Sequence, residues 1–384
     1  MSRETIEWLN NNVLTGFIED REKWAAGWGS FSERDNGNEV FRPWYATPEY
    51  TGGYQGPIPV EAINERLFNW EAIEGPVFAE VPCEDASKAD GINVDGGYYR
   101  KVPMTGWKGV LRSDNDYPFK AFKDGYVRHQ YGLWLLDEVA NIIDSEVQAD
   151  SAGLLQEGGI AWVSVSLPES VVSERTGFAL RTRILAFTSH NGRHSTSYMA
   201  ADQSPVCDNS LDATIAGADT RKLKFKHSRY STLKIASARD ALGILFKSSE
   251  QSMAFFDSLA QWEVTNAHFK QMLDVMYPVP EAVIEKGVQT TGSKRSQTIA
   301  DNKRGALAKM YVADPRANQW HGTALGVLQA FNTWDQQDGN NKGAKVERQM
   351  LNTLAGDVGK FDGLVLDTLA AVTDYDLTKL VPAA

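Results

Sequence analysis

The sequence predicts an α+β fold: an antiparallel sheet crossed by a long helix, with an irregular aromatic N-terminal arm and a helical C-terminal region. Three observations predict it. Apolar–polar alternation and glycine turns concentrate between residues 98 and 200. From Thr232 to about Met276 the apolar spacing becomes helical, and helical patterns continue to about residue 370. Strands do not alternate strongly with helices, which argues against a doubly wound dinucleotide-binding fold. The patterns divide the chain into 1–95, an irregular acidic arm with a short helix; 96–280, a central α+β core; and 281–384, a C-terminal helical region.

Residues 1–58 carry Trp24, Trp28, Trp44, Tyr45, Tyr50 and Tyr54 with little periodicity. That density suggests an arm packed on the chain's own body or on a neighbouring copy. A short helix is expected over 60–72 and a polar loop over 84–95. Residues 98–104 and 107–112 read as two strands around a turn at Thr105-Gly106. The helix expected over 128–144 carries Tyr131, Leu135, Val139 and Ile142 at helical spacing. Strands are expected over 151–156, through Val163, Val165 and Leu167, and over 178–188 with Arg181 and Arg183 on one face. Asn191-Gly192 signals a hairpin, whose returning strand is expected over 194–200. Residues 206–216 read as a helix and 221–227 as a strand.

The C-terminal third changes character. Phe255, Leu259, Trp262, Phe269 and Leu273 form a stripe, with Asn266 at the missing step. An interruption is expected near Gly243 or Ser248-Ser249, and Tyr277-Pro278-Val279-Pro280 stops the run. Residues 286–298 read as an exposed basic connection, with helices following near 300–312, 321–335, 342–354 and 360–370.

The composition is 42% hydrophobic and 23% charged, the balance of a soluble globular protein. No apolar run approaches the ~18 residues of a membrane span, and no secretory leader is recognisable, so no membrane association and a cytoplasmic address are expected. Cys83 and Cys207 are too few for a disulfide scaffold or a cysteine zinc site, and read as two buried thiols or as one long-range disulfide, the thiols being expected.

The net charge of −11 disfavours a protein that coats nucleic acid generically. Its distribution is uneven: residues 1–100 carry −10, whereas residues 181–240 carry +5. Arg221, Lys222, Lys224, Lys226, Arg229, Lys234 and Arg239 occur with no acid among them. The run reads either as an anion-binding strip or as a solvated surface.

Several chemistries lack their motifs. There is no P-loop, no Gly-x-Gly-x-x-Gly after a strand, no Gly-x-Ser-x-Gly elbow, no His-Glu-x-x-His and no deaminase pattern. No cofactor, metal or catalytic residue is assigned on this basis. His190 and His194 flank the Asn191-Gly192 turn and read as a cross-hairpin ligand pair or as turn residues. His227 sits inside the basic strand, and proton transfer there requires a positioned partner. Cys207 reads as a nucleophile or as a buried cysteine at a helix start. Asp202, Asp208 and Asp212 read as a magnesium-binding group or, for Asp208, as a first-turn carboxylate.

The order of short segments resembles the DUF932 family of phage- and plasmid-borne proteins. The matching segments are Thr188-Ser189-His190-Asn191-Gly192 and Val206-Cys207-Asp208-Asn209-Ser210-Leu211. Tyr126 with Gln130, Ala152-Gly153 with Gly158-Gly159, Lys226-His227, Ala238, Leu242-Gly243, Gly322-Thr323, Gly326 and Ala330 extend the resemblance over about 110–335. Asn191 stands where relatives have Asp, and Ser210 where they have Thr. Lys23–Gly29 lacks the histidine of the family's Trp-His-Gly-Leu-Gly element, so any role of that histidine does not carry over. The strand-and-helix order more distantly resembles Rad52-type single-strand annealing proteins, which implies a Rad52-like core.

Three functional readings follow. The first is a single-stranded-DNA-binding and annealing protein that acts as a ring or filament of identical subunits. Lys222, Lys224 and Lys226 would lie on one face of a strand, opposite Leu223 and Phe225. Arg181, Arg183, Arg221, Arg229, Lys234 and Arg239 would extend the track, and Tyr230 would stack on a base. The second is a metal-dependent nucleic-acid or nucleotide enzyme using Asp202, Asp208, Asp212, His190, His194 and Cys207. The third is a phage structural or host-interaction protein without catalysis.

Overall fold

The computed structural model describes residues 3–16, 30–35, 38–43, 47–54, 56–92, 95–143, 149–173, 179–203, 210–211, 222–229, 231, 248–279, 284–285, 288–289, 294–314, 317–335, 351–352, 354–355 and 357–380. The strands are β1 (Val13–Thr15), β2 (Ser30–Asp35), β3 (Asn38–Pro43), β4 (Ala72–Pro82), β5 (Gly91–Ile92), β6 (Tyr98–Arg112), β7 (Pro118–Lys123), β8 (Ala149–Leu155), β9 (Ile160–Val172), β10 (Ala179–Ser189), β11 (Thr196–Gln203), β12 (Ser210–Leu211), β13 (Lys222–Phe225), β14 (Ile284–Glu285) and β15 (Val288–Gln289). The helices are α1 (Arg3–Asn12), α2 (Val60–Arg66), α3 (Glu138–Ile143), α4 (Ser248–Gln261), α5 (Asn266–Met276), α6 (Lys294–Ala313), α7 (Ala324–Thr333) and α8 (Asp357–Thr373).

The fold is mixed α+β with antiparallel sheets. Seven strands form the main sheet in the order β1-β8-β9-β10-β11-β12, with β13 paired to the other end of β11. A second sheet is organised around β6, which pairs with β4, β5 and β7. The pairs β2–β3 and β14–β15 stand apart from both.

Alternation along the strands loads both sides of the main sheet. Ile184 and Ala186 join a core with Ile63, Leu67, Trp134, Val163, Val165, Tyr198 and Phe225. Leu185 and Phe187 join another with Leu9, Ile160, Trp162 and Leu354. Both faces of the central strands are therefore covered by apolar cores. A third core unites the C-terminal helices through Phe256, Leu259, Trp262, Phe269, Tyr311, Leu325, Phe331 and Leu366.

Several local expectations change. The first 58 residues, expected to be irregular, contain α1, β1 and the β2–β3 hairpin. Burial of Leu9, Val13 and Leu14 and the pairing of Val13–Thr15 with β8 give this segment its order. Residues 98–112 form one strand rather than two. Gly106 has φ 82° and lies where the β4–β6 register shifts, so the expected turn is a bulge. Within the expected helix 206–216, Ser210 and Leu211 instead pair with Gln203 and Asp202 as β12; the rest of that helix lies outside the described residues.

The helix expected from residue 128 begins at Tyr131 and includes a π turn over Leu133–Asp137. His129 is engaged instead by Thr196 and Ser231, and the Gln130 side chain by β4. Further on, the helical stripe breaks at 262–265; Ser248 and Ser249 are the first residues of α4, and Gly243 and the residues just before Ser248 lie outside the described residues. The Ala324 amide donates to Trp262 O (2.9 Å), and the Val264 amide donates to Gly322 O (2.8 Å). The Thr265 hydroxyl then accepts from the His268 amide at 3.1 Å, capping α5.

Cys83 is half-buried and unbridged, and Cys207 lies outside the described residues. Among the described residues, no helix is long and apolar enough to cross a membrane.

Candidate functional site

Four chain segments meet beside the β11–β13 edge. They are β7 with residues 124–131, the β8–β9 turn, the β10–β11 turn and the segment that follows β13. Backbone hydrogen bonds tie the two turns together. The amides of His190 and Asn191 both donate to Gly159 O, at 2.9 and 3.3 Å. Asn191 Nδ2 donates to Gln156 Oε1 at 2.8 Å, and Asn191 Oδ1 accepts from the Arg193 amide at 3.1 Å. The expected hairpin is present, with Gly192 at φ 73°. A Cβ there would sit 2.9 Å from a Phe122 ring atom, so both the turn and its neighbour favour glycine.

The segment between β7 and α3 is pinned from several sides. Gln130 uses its side-chain amide like a strand partner, accepting from the Ala72 amide (3.0 Å) and donating to Ala72 O (2.9 Å). Tyr126 donates to Ser189 O at 3.3 Å, and Tyr131 donates to Gly158 O at 2.7 Å. Arg128 pairs with Glu74 at 3.0 Å.

This arrangement builds a column of five rings. Phe122 stacks on Tyr126 with 3.8 Å between centroids, and Tyr126 on His227 at 4.9 Å. His227 stacks on His129 at 4.1 Å, and His129 on Trp134 at 3.8 Å. The column runs from half-exposed Phe122 inward to buried Trp134. Beside it, buried His190 stacks on Tyr131 at 4.2 Å, and neither of its ring nitrogens has a hydrogen-bond partner among the described residues.

Hydrogen bonds along the column also join the histidines. His227 Nδ1 meets Val127 O at 3.0 Å, and its Nε2 meets Thr188 Oγ1 at 3.3 Å. Thr188 Oγ1 meets Thr196 Oγ1 at 2.7 Å, and Thr196 Oγ1 meets His129 Nδ1 at 2.6 Å. His129 Nε2 meets Ser231 Oγ at 3.0 Å, and the Ser231 hydroxyl donates to Ser228 O. With both imidazoles neutral, these six contacts have five protons to share. The longest, Thr188–His227, is the natural one to go unfilled.

Burial sets the charge state. It pushes His129 down to about 3, with the nearby His227 adding to the shift. Burial also lowers His227, partly opposed by the Val127 and His194 backbone contacts. His190 is held well below its ordinary value by burial first, then by His227, His129 and Arg128. The cluster is thus neutral near pH 7. Among the described residues, no group of three or more His, Cys, Asp or Glu side chains is arranged to hold a metal ion.

The basic candidates divide into three groups. Lys224 and Lys226 are exposed at the sheet edge, while Leu223 and Phe225 point into the core. Arg229 is exposed just beyond them. Arg181, Arg183 and Lys222 are placed by backbone register alone, opposite Gln203, Ala201 and Met199. That register puts positions 181, 183, 222 and 224 on one side of the ladder, the side of Leu185 and Phe187. Arg221, Tyr230, Lys234 and Arg239 lie outside the described residues, as do Asp208 and Asp212.

His190 and His194 do not converge as a ligand pair. His190 packs against Tyr131, whereas the His194 ring meets Phe187 edge-on at 5.5 Å. Sequence reasoning missed His129, Thr188, Thr196 and Phe122 as parts of the site. Their only local signal was the resemblance segment around Thr188 and Tyr126.

The family model named "Domain of unknown function (DUF932)" matches residues 121–355. No curated protein and no solved structure matches the chain.

Proposed function

We infer that this chain, which belongs to the DUF932 family, binds single-stranded DNA and anneals complementary strands in phage or plasmid recombination or replication. The observation that carries this reading is the composition of the β13 edge. Lys224 and Lys226 are exposed there, with Leu223 and Phe225 packed behind them on the face where Trp134, the inner end of the aromatic column, also lies. Lysines at a sheet edge hold phosphates without gripping base edges, and annealing requires those edges to stay free to pair. Arg181, Arg183, Arg221, Lys222, Arg229, Tyr230, Lys234 and Arg239 are assigned to the same track. A homo-oligomeric ring or filament would repeat this weak site along one strand and multiply its affinity. No covalent bond need be broken, so the reading assigns no catalytic residue and no cofactor.

The test is fluorescence anisotropy with a labelled strand of about 50 nucleotides, long enough for several binding sites. It is titrated at low and moderate salt and competed with duplex. Salt-sensitive binding that prefers the single strand, followed by accelerated pairing of complementary strands, is the expected result. No binding at low salt overturns the reading and favours a structural or host-interaction role.

A further inference from the structure

We propose that Phe122 is a stacking platform for one nucleobase of a bound single strand, with Lys120 serving the adjacent phosphate; this rests on the DNA-binding reading above. Phe122 is the half-exposed end of the five-ring column, and its ring lies 10° from parallel with Tyr126. A stacked ring gains from having a rigid ring beneath it, because little conformational freedom is left to lose on binding. Here the support continues through Tyr126 and His227 to His129, and Tyr126 is itself anchored to Ser189 O. Gly192 lets the β10–β11 turn close against the Phe122 ring, where a side chain would collide.

Charge supplies the second half of the argument. Lys120 Nζ lies 5.7 Å from the Phe122 centroid, and Lys120 is exposed. The ammonium is attracted to the ring face in the free protein, and its flexible stem can swing it onto a phosphate as a base arrives. Arg193, also exposed, follows Gly192, whose backbone lies against the Phe122 ring. The combination of an aromatic face with cations around it selects a flat, uncharged ring attached to an anionic chain. It does not read the ring's edge, so it fits any base sequence.

The experiment compares two labelled strands of equal length and charge: an ordinary mixed-sequence strand, and one whose bases are partly replaced by abasic sites. Wild-type protein should bind the abasic strand about tenfold more weakly, the scale of one lost base–aromatic stack. Phe122→Leu should bind the ordinary strand about tenfold more weakly and lose most of its discrimination against the abasic strand, with an unchanged salt slope. Phe122→Trp should restore discrimination and show tryptophan quenching on binding. Should Phe122→Leu fold poorly, Phe122→Trp keeps the test intact: no tryptophan quenching beyond that of wild type on binding overturns the platform. Wild-type binding that is equal for both strands overturns the platform and leaves the DNA-binding reading standing. Absence of binding to either strand overturns both.

Discussion

The imidazole of His227 lies on that of His129, 4.1 Å between centroids and 25° from parallel. Two groups that titrate near neutrality in water are held face to face, His129 buried and His227 half-buried. The arrangement is sustainable because both stay neutral: a proton on either must be desolvated, and a second must also face the first. The contact joins the segment after β7 to the segment after β13 and so fixes the position of the basic edge.

Acid should therefore destabilise the protein before its carboxylates titrate. The folded-state values of His129, His227 and His190 lie below the ordinary imidazole value. Their contribution is complete above the unfolded pKa of about 6.5 and is lost as pH falls below it. For His129, whose folded value is about 3, the loss at pH 5 is about 2 kcal/mol. Thermal melts at pH 7.5, 6 and 5 should show a falling Tm. A Tm that stays level over this range contradicts the neutral cluster.

Thr188→Val keeps the shape of the side chain and removes the hydroxyl shared by Thr196 and His227. The buried Thr196 hydroxyl then loses one partner. A cost of about 1–2 kcal/mol is expected by chemical denaturation, with the m-value unchanged. No measurable cost would mean that the threonine pair contributes nothing to the cluster.

Replacing Lys222, Lys224 and Lys226 together by Ala should weaken single-strand binding and flatten its salt dependence. Each lost phosphate contact removes about 0.7 from the log–log slope. The Tm should change little, because Lys224 and Lys226 are exposed. An affinity and slope equal to wild type would remove β13 from the DNA track.

Trp262→Ala should destabilise the helical region by roughly 3–5 kcal/mol. Trp262 is buried and stacks on Tyr375 with 4.0 Å between centroids. Its carbonyl also accepts from the Ala324 amide, so its collapse would disturb the start of α7. Near-wild-type stability in denaturant would refute this assignment.

Local rules made much of this protein readable. The Asn191-Gly192 hairpin, the strands on either side of it and the outward alternation of Lys224 and Lys226 follow from period and turn chemistry, which depend on neighbours in sequence. The helices expected near 300–312, 321–335 and 360–370 were legible for the same reason. The break at 262–265 was not: the stripe resumes in register beyond Asn266, and the helix is interrupted because backbone groups of Gly322 and Ala324 compete for the helical hydrogen bonds.

The site divides in the same way. Proton transfer at His227 would require a partner, but the sequence carried no information about which distant side chain lies against it. His129 meets it because Gln130 is tied to β4 while Thr196 and Ser231 hold the His129 ring. Alternation fixed which side of a strand each residue takes. Bringing five rings into one column required segments from both sheets to close around a shared core, and only the packed tertiary structure decides that.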